Sequence, residues 1–177
     1  MRKTCVFCVV VVATWIALAQ LALSPIARAE DRSAVSSGFS GSTPCGRVAR
    51  HFLGIPADAN CVKITWQLTL QDEGAAPERN SRQYKLVARC GHTVPERPGA
   101  VEEAKDSIEI KGTWRIARGT KSDPQAIVYE LATDDPKRSA AFVKVGDDLL
   151  HLLDGERRAV IGNSGWSYSL NRNGKEH

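Results

Sequence analysis

Cysteine and histidine are the residue types in this chain with the chemistry to bind a metal or exchange electrons. Cysteines stand at 5, 8, 45, 61 and 90, and histidines at 51, 92, 151 and 177. Cys5 and Cys8 lie in an N-terminal apolar segment that reads as a secretion signal, which leaves three. The simplest account of an odd number is one bridge and one free thiol, with intermolecular pairing as the other. Cys45 opens a short helical pattern and Cys61 directly precedes the first alternating segment. A Cys45–Cys61 disulfide would pin that helix to the body of the domain. It would close a loop of about 17 residues, worth roughly 3 kcal/mol if chain entropy sets the gain. Cys90 continues the parity of Tyr84, Leu86 and Ala88, which predicts a buried, reduced and inaccessible thiol. A redox or metal role would need exposure and nearby positive charge. Cys90 and His92 set two donors two residues apart, enough for weak copper binding at most. Tight sites need three or four preorganised ligands, and no ligand spacing typical of structural zinc is present. No other cofactor is expected.

Catalytic motifs are absent. Gly162-Asn163-Ser164-Gly165 lacks the spacing and the strand-to-helix context of a serine elbow, and reads as a turn. Asp134-Asp135 and Asp147-Asp148 are adjacent acids in turns, and no phosphate-binding glycine loop occurs. No acid, base and nucleophile converge, so the chain is not expected to be an enzyme. His151, inside Leu149-Leu150-His151-Leu152-Leu153, reads as a rim residue or a hydrogen-bonded core residue. Trp66, Trp114 and Tyr168 share inward parity. They are expected in the core, or lining a ligand pocket if the interior is hollow.

The elements that must position these groups are mostly strands. Residues 30–42 are Ser/Gly-rich without periodicity and read as a flexible leader. Thr43 as N-cap, Pro44 in the first helical position and Gly54 as stop predict a short helix, with Cys45, Val48, Ala49, Phe52 and Leu53 on one face. From Val62 to Leu70 the period becomes two, with Val62, Ile64, Trp66, Leu68 and Leu70 inward. Ile108, Ile110, Trp114 and Ile116 repeat the alternation, and Gly112 reads as a bend or bulge. Tyr84, Leu86 and Ala88 mark a weaker strand, and Trp166, Tyr168 and Leu170 the last one. Further strands are expected near 126–132, 140–145, 148–153 and 157–161. Asp154-Gly155 predicts a hairpin, and 91–105 a long loop. About eight short strands and one short N-terminal helix make an all-β domain over 43–172, closed into a small antiparallel barrel. A sandwich is the other architecture that the pattern allows. Residues 173–177 read as a disordered tail.

Arg2 and Lys3, an apolar run from Cys5 to Leu23, Pro25 and the Ala27-Arg28-Ala29 site make residues 1–29 a secretory signal peptide cut after Ala29. The run is near the length of a membrane span, so an uncleaved anchor is the alternative. Glu30 and not a cysteine stands directly after the cut, so no lipid anchor is expected. The mature chain is expected to be periplasmic or secreted. The signal holds three of the 24 Lys and Arg residues and no acid, which leaves a nearly neutral mature chain against 20 acids. A nucleic-acid partner would need a clustered basic face, and the basic residues are scattered.

The segment Gly54-Ile55-Pro56-Ala57-Asp58-Ala59-Asn60-Cys61 and the strand after it resemble the N-terminal domain of NlpE-type copper-resistance and envelope-stress lipoproteins. Gly112-Thr113-Trp114, Val128-Tyr129-Glu130-Leu131, the run from Phe142 to Leu149, Leu152-Leu153-Asp154 and the closing Trp166-Ser167-Tyr168-Ser169-Leu170 follow in the same order. The resemblance covers about residues 54–171. It implies a lipocalin-like barrel with a non-enzymatic envelope role in stress sensing or binding of an envelope partner. A carrier of a small apolar ligand and a copper-handling protein are the alternatives. The family's Cys-x-x-Cys is reduced here, with Ala57 in place of its first cysteine, and Cys45 upstream is the candidate for the lost partner. The lipobox cysteine is missing.

Overall fold

The structure, a computed structural model, describes residues 35–72 and 82–174. The expected signal segment 1–29 and residues 175–177 of the expected tail lie outside the described residues. Among the described residues no helix is long and apolar enough to cross a membrane.

Nine strands and one helix follow in the order β1 (Val35–Pro44), α1 (Arg47–Leu53), β2 (Lys63–Asp72), β3 (Gln83–Thr93), β4 (Val101–Glu103), β5 (Ile108–Arg118), β6 (Ile127–Ala132), β7 (Ser139–Val145), β8 (Leu149–Leu153) and β9 (Ser169–Arg172). All strand pairs are antiparallel. The ladder runs β1, β2, β3, β5, β6, β7, β8, β9 and returns from β9 to β1 through Phe39↔Arg172 and Ser40↔Asn171. This is a closed eight-stranded barrel. The ninth strand, β4, hangs on the end of β3 through Gly91↔Glu103, His92↔Glu102 and Thr93↔Val101.

The alternating segments behave as their period requires. In β2, Ile64, Trp66, Leu68 and Leu70 are buried and face Tyr84, Leu86 and Ala88 of β3. β6, β7 and β8 add Leu131, Phe142, Leu150 and Leu152 to the same core, and α1 adds Ala49, Phe52 and Leu53. Phe52 stacks on Trp66 with ring centroids 6.4 Å apart, and Phe142 meets Trp66 edge-on at 6.3 Å. This aromatic column runs from the helix into the barrel.

Several expectations are corrected. The leader read over 30–42 is a strand from Val35 onward, because its small residues pair along all of β2 from Val35↔Asp72 to Pro44↔Lys63. Thr43 and Pro44 end that strand, so Gly46 takes the N-cap position, while Gly54 adopts the expected left-handed conformation at φ 70°. The long loop read over 91–105 contains the end of β3 and all of β4. Gly112 is no bulge: it pairs in register with Tyr84, and the Tyr84 ring and the Ala132 carbonyl come too close for a Cβ. Ile116 keeps its parity but lies toward the end of β5, where it is 47% exposed. The strand read over 157–161 makes only the bridge Leu153↔Ala159. The last strand begins at Ser169 and not at Trp166. Asn173, read as the start of the tail, is tied down. Its N–H donates to the Gly38 carbonyl (2.9 Å) and its Oδ1 accepts from Ser40 Oγ (2.6 Å).

The segment between β8 and β9 instead folds over the outside of the barrel. Val128 and Leu153 have outward parity, yet they are 0% and 2% exposed. Val160 N–H donates to Leu152 O, and Arg157 Nη1 donates to the carbonyls of Arg118 and Gly119. His151 is held there by Ser169 Oγ at 2.9 Å and the Val160 carbonyl at 3.0 Å. It is a satisfied, half-buried histidine.

One buried group is left over. The Tyr84 hydroxyl has no hydrogen-bond partner among the described residues, and burial pushes its pKa up to about 12. An unpaired buried hydroxyl costs about 1–3 kcal/mol. Tyr84→Phe is therefore expected to keep the fold and to match or exceed the parent in urea unfolding. A loss of stability would show that the hydroxyl is bonded in solution.

Candidate functional site

The helix closes one end of the barrel, and three fastenings around its rim hold it there. On the β6–β7 side, Arg138 Nε donates to Phe52 O at 3.1 Å, and His51 Nε2 donates to Lys137 O at 2.9 Å. On the β8–β9 side, the Tyr168 hydroxyl sits against Gly46, the N-cap of the helix. On the β1–β2 side the fastening is covalent. Cys45 and Cys61 are joined, with Cα atoms 5.8 Å apart, inside the 4.4–6.8 Å range that disulfides favour.

Arg50 organises the loop that the bridge closes. Its Nε donates to Cys45 O at 2.8 Å, Nη1 to Pro56 O at 2.6 Å and Ala59 O at 3.2 Å, and Nη2 to Ala59 O at 3.2 Å and Cys61 O at 2.7 Å. A planar guanidinium with five donors suits such a ring of carbonyls, and a lysine ammonium with three does not. This role was not visible in the sequence, where Arg50 reads as an off-face helix residue. Its only signal is its place in sequence between two cysteines.

Among the described residues Cys90 is the free cysteine. Its inward parity is as expected, opposite Ile64 in the ladder. It is half-buried, not fully inaccessible, because it lies near the rim where β3 runs out toward β4. Burial pushes the Cys90 thiol up, and the Arg50 guanidinium acts in the opposite sense. The sulfurs of Cys45, Cys61 and Cys90 all lie within 4.8 Å of one another. His92, expected as the metal partner of Cys90, is outside this group and pairs in the ladder with Glu102. The cluster is thus sulfur alone.

The strand flanking Cys90 is tied across to β2. Ala104 N–H donates to Cys90 O at 2.7 Å, and the Glu103 carboxylate accepts from Lys63 Nζ at 3.2 Å and from Thr65 Oγ1. The Thr65 and Lys63 hydrogen bonds hold the Glu103 carboxyl below its usual range.

No family model matches this chain, and no curated protein or solved structure does either. What the site can do follows from its chemistry alone. A disulfide with a third thiol beside it supports thiol–disulfide exchange, and the same three sulfurs, once reduced, are three soft metal ligands.

The three aromatics considered as pocket-lining residues separate. Trp66 is core, with Nε1 donating to Thr43 Oγ1 at 2.8 Å. Tyr168 is buried against α1. Trp114 is half-exposed and lines an open groove of about 1040 Å³ with Arg115, Glu130, His51 and Arg157. The charges of that groove are largely spent on each other: Glu130 pairs with both Arg115 and Arg157, and Asp154 pairs with Arg158 at 3.0 Å.

Proposed function

We propose that this chain is an exported, non-enzymatic barrel that senses the redox state of the cell envelope through the Cys45–Cys61 bridge. The observation that carries the reading is the position of the bridge. It is the covalent fastening of a helix whose Phe52 caps the aromatic column of the core. Breaking it leaves α1 held by hydrogen bonds and packing, so a change in thiol poise becomes a change in the exposure of the plugged end. The secretion signal and the NlpE-type resemblance support the envelope setting, with a partner protein of the envelope reading the exposed end. Hydrogen exchange of oxidised and reduced protein tests the coupling. Residues 45–61 are expected to exchange faster on reduction, while β6 to β8 keep their protection. Equal protection of α1 in both states would remove the redox reading.

Copper handling is the second reading, favoured by the sulfur cluster. It requires the bridge to be reduced first, since a disulfide sulfur is a poor ligand, and Cu(I) titration of the reduced chain tests it. Carriage of an apolar ligand is the third reading: Phe52, Trp66 and Phe142 pack together in the core, which leaves the open groove beside Trp114 and Leu131 as its place.

A further inference from the structure

We propose that the chain carries an intramolecular thiol–disulfide exchange in which Cys90 is the nucleophile and Cys61 the sulfur attacked, moving the bridge from Cys45–Cys61 to Cys61–Cys90. The inference rests on the redox reading and names the group that operates it.

The geometry supplies the nucleophile. The Cys90 sulfur is within 4.8 Å of both bridged sulfurs, so attack needs a side-chain displacement and not a refolding of the rim. Cys90 is half-buried, and the part of it that reaches solvent lets its proton leave to water. Burial pushes the Cys90 thiol above its usual range, so the thiolate forms on the alkaline side, and the Arg50 guanidinium, anchored on the carbonyls of both bridged cysteines, acts against that rise.

The step balances without any added oxidant or reductant. The Cys90 thiol gives its proton to solvent. Its sulfur bonds to Cys61 Sγ as the Cys45–Cys61 bond breaks. The electron pair of that bond leaves on Cys45, which takes up a proton. One disulfide and one thiol are present before and after.

The backbone argues for Cys61 as the target. Val62 N–H donates to Gly91 O at 2.8 Å, so Cys61 and Cys90 each stand one residue from a hydrogen bond that already joins their segments. A Cys61–Cys90 bridge ties β2 to the neighbouring β3. A Cys45–Cys90 bridge would instead reach past β2, which lies between β1 and β3 in the ladder. Exchange onto Cys61 also has a consequence that the other product lacks. It frees Cys45, and with it the covalent hold on α1, while the chain stays oxidised.

Pairing maps test this. The purified chain is held without oxygen at mildly alkaline pH, quenched with acid and N-ethylmaleimide, digested and read by mass spectrometry. A Cys61–Cys90 peptide is expected beside the Cys45–Cys61 peptide, with label appearing on Cys45 as it falls on Cys90. Label on Cys90 alone, or a Cys45–Cys90 peptide, would overturn the assignment. In a second arm, Cys45→Ser treated with glutathione disulfide is expected to close Cys61–Cys90 about tenfold or more faster folded than in urea, since proximity raises the effective concentration. Equal rates would also overturn it. If reduction leaves α1 protected yet the Cys61–Cys90 peptide forms, the exchange stands and the sensing reading fails. If α1 responds to reduction and no such peptide forms, the reverse holds.

Discussion

Trp66→Ala is expected to cost about 3–5 kcal/mol in denaturant unfolding, the usual range for deleting a buried large aromatic. Trp66 is 1% exposed, joins Phe52 and Phe142 in one column, and gives its indole N–H to the buried Thr43 hydroxyl. Alanine therefore opens a cavity between the helix and the sheet and removes a donor from Thr43. Trp114→Ala is expected to cost less, about 1–2 kcal/mol. Its ring is half-exposed, tilted against Tyr129 at 5.2 Å and under the Arg82 guanidinium at 5.1 Å, with Nε1 donating to Gln71 O at 3.1 Å. A larger loss at Trp114 than at Trp66 would contradict the placement of the core.

Removing the bridge with Cys45→Ser and Cys61→Ser together is expected to cost about 3 kcal/mol, the chain-entropy value for a loop of this size. The sequence separation is 16 residues. The double substitution leaves Cys90 without a partner, so no substitute bridge masks the loss. Equal midpoints for the double variant and the parent would show that Arg50 and the rim contacts constrain the loop by themselves.

The two tryptophans also show what a sequence can and cannot reveal of this fold. Period-two alternation placed β2 and β5 and gave Trp66 and Trp114 the same inward parity. Parity does not say how far along the barrel a residue lies, and that distance separates a core ring from one at a groove. β1 escaped for a different reason. Ser36, Ser37, Gly38, Ser40, Gly41 and Ser42 carry no apolar alternation, and from Ser36 to Pro44 the buried residues are Phe39, Thr43 and Pro44. The small residues answer a neighbour: a Cβ on Gly41 would meet the Ser169 carbonyl at 2.5 Å. The Cys45–Cys61 bridge was legible from its place at two element boundaries. The nearness of Cys90 was not, because it depends on β1, β2 and β3 standing side by side. No single stretch of chain carries that information.

The short seam between β1 and β9 has a consequence for how the molecule is made. β1 pairs with β2 over ten residue positions, but with β9 over only Phe39↔Arg172 and Ser40↔Asn171. The second contact joins residues more than 130 positions apart. A ribosome delivers β1 first and β9 last, so one edge of β1 stays without its partner until nearly the whole chain has been synthesised. Such non-local pairing is slow to form and leaves an unsatisfied edge in the interim. The Ser/Gly composition of β1 then serves a purpose beyond close packing. A strand with few apolar side chains offers little for a second nascent chain to grip while it waits.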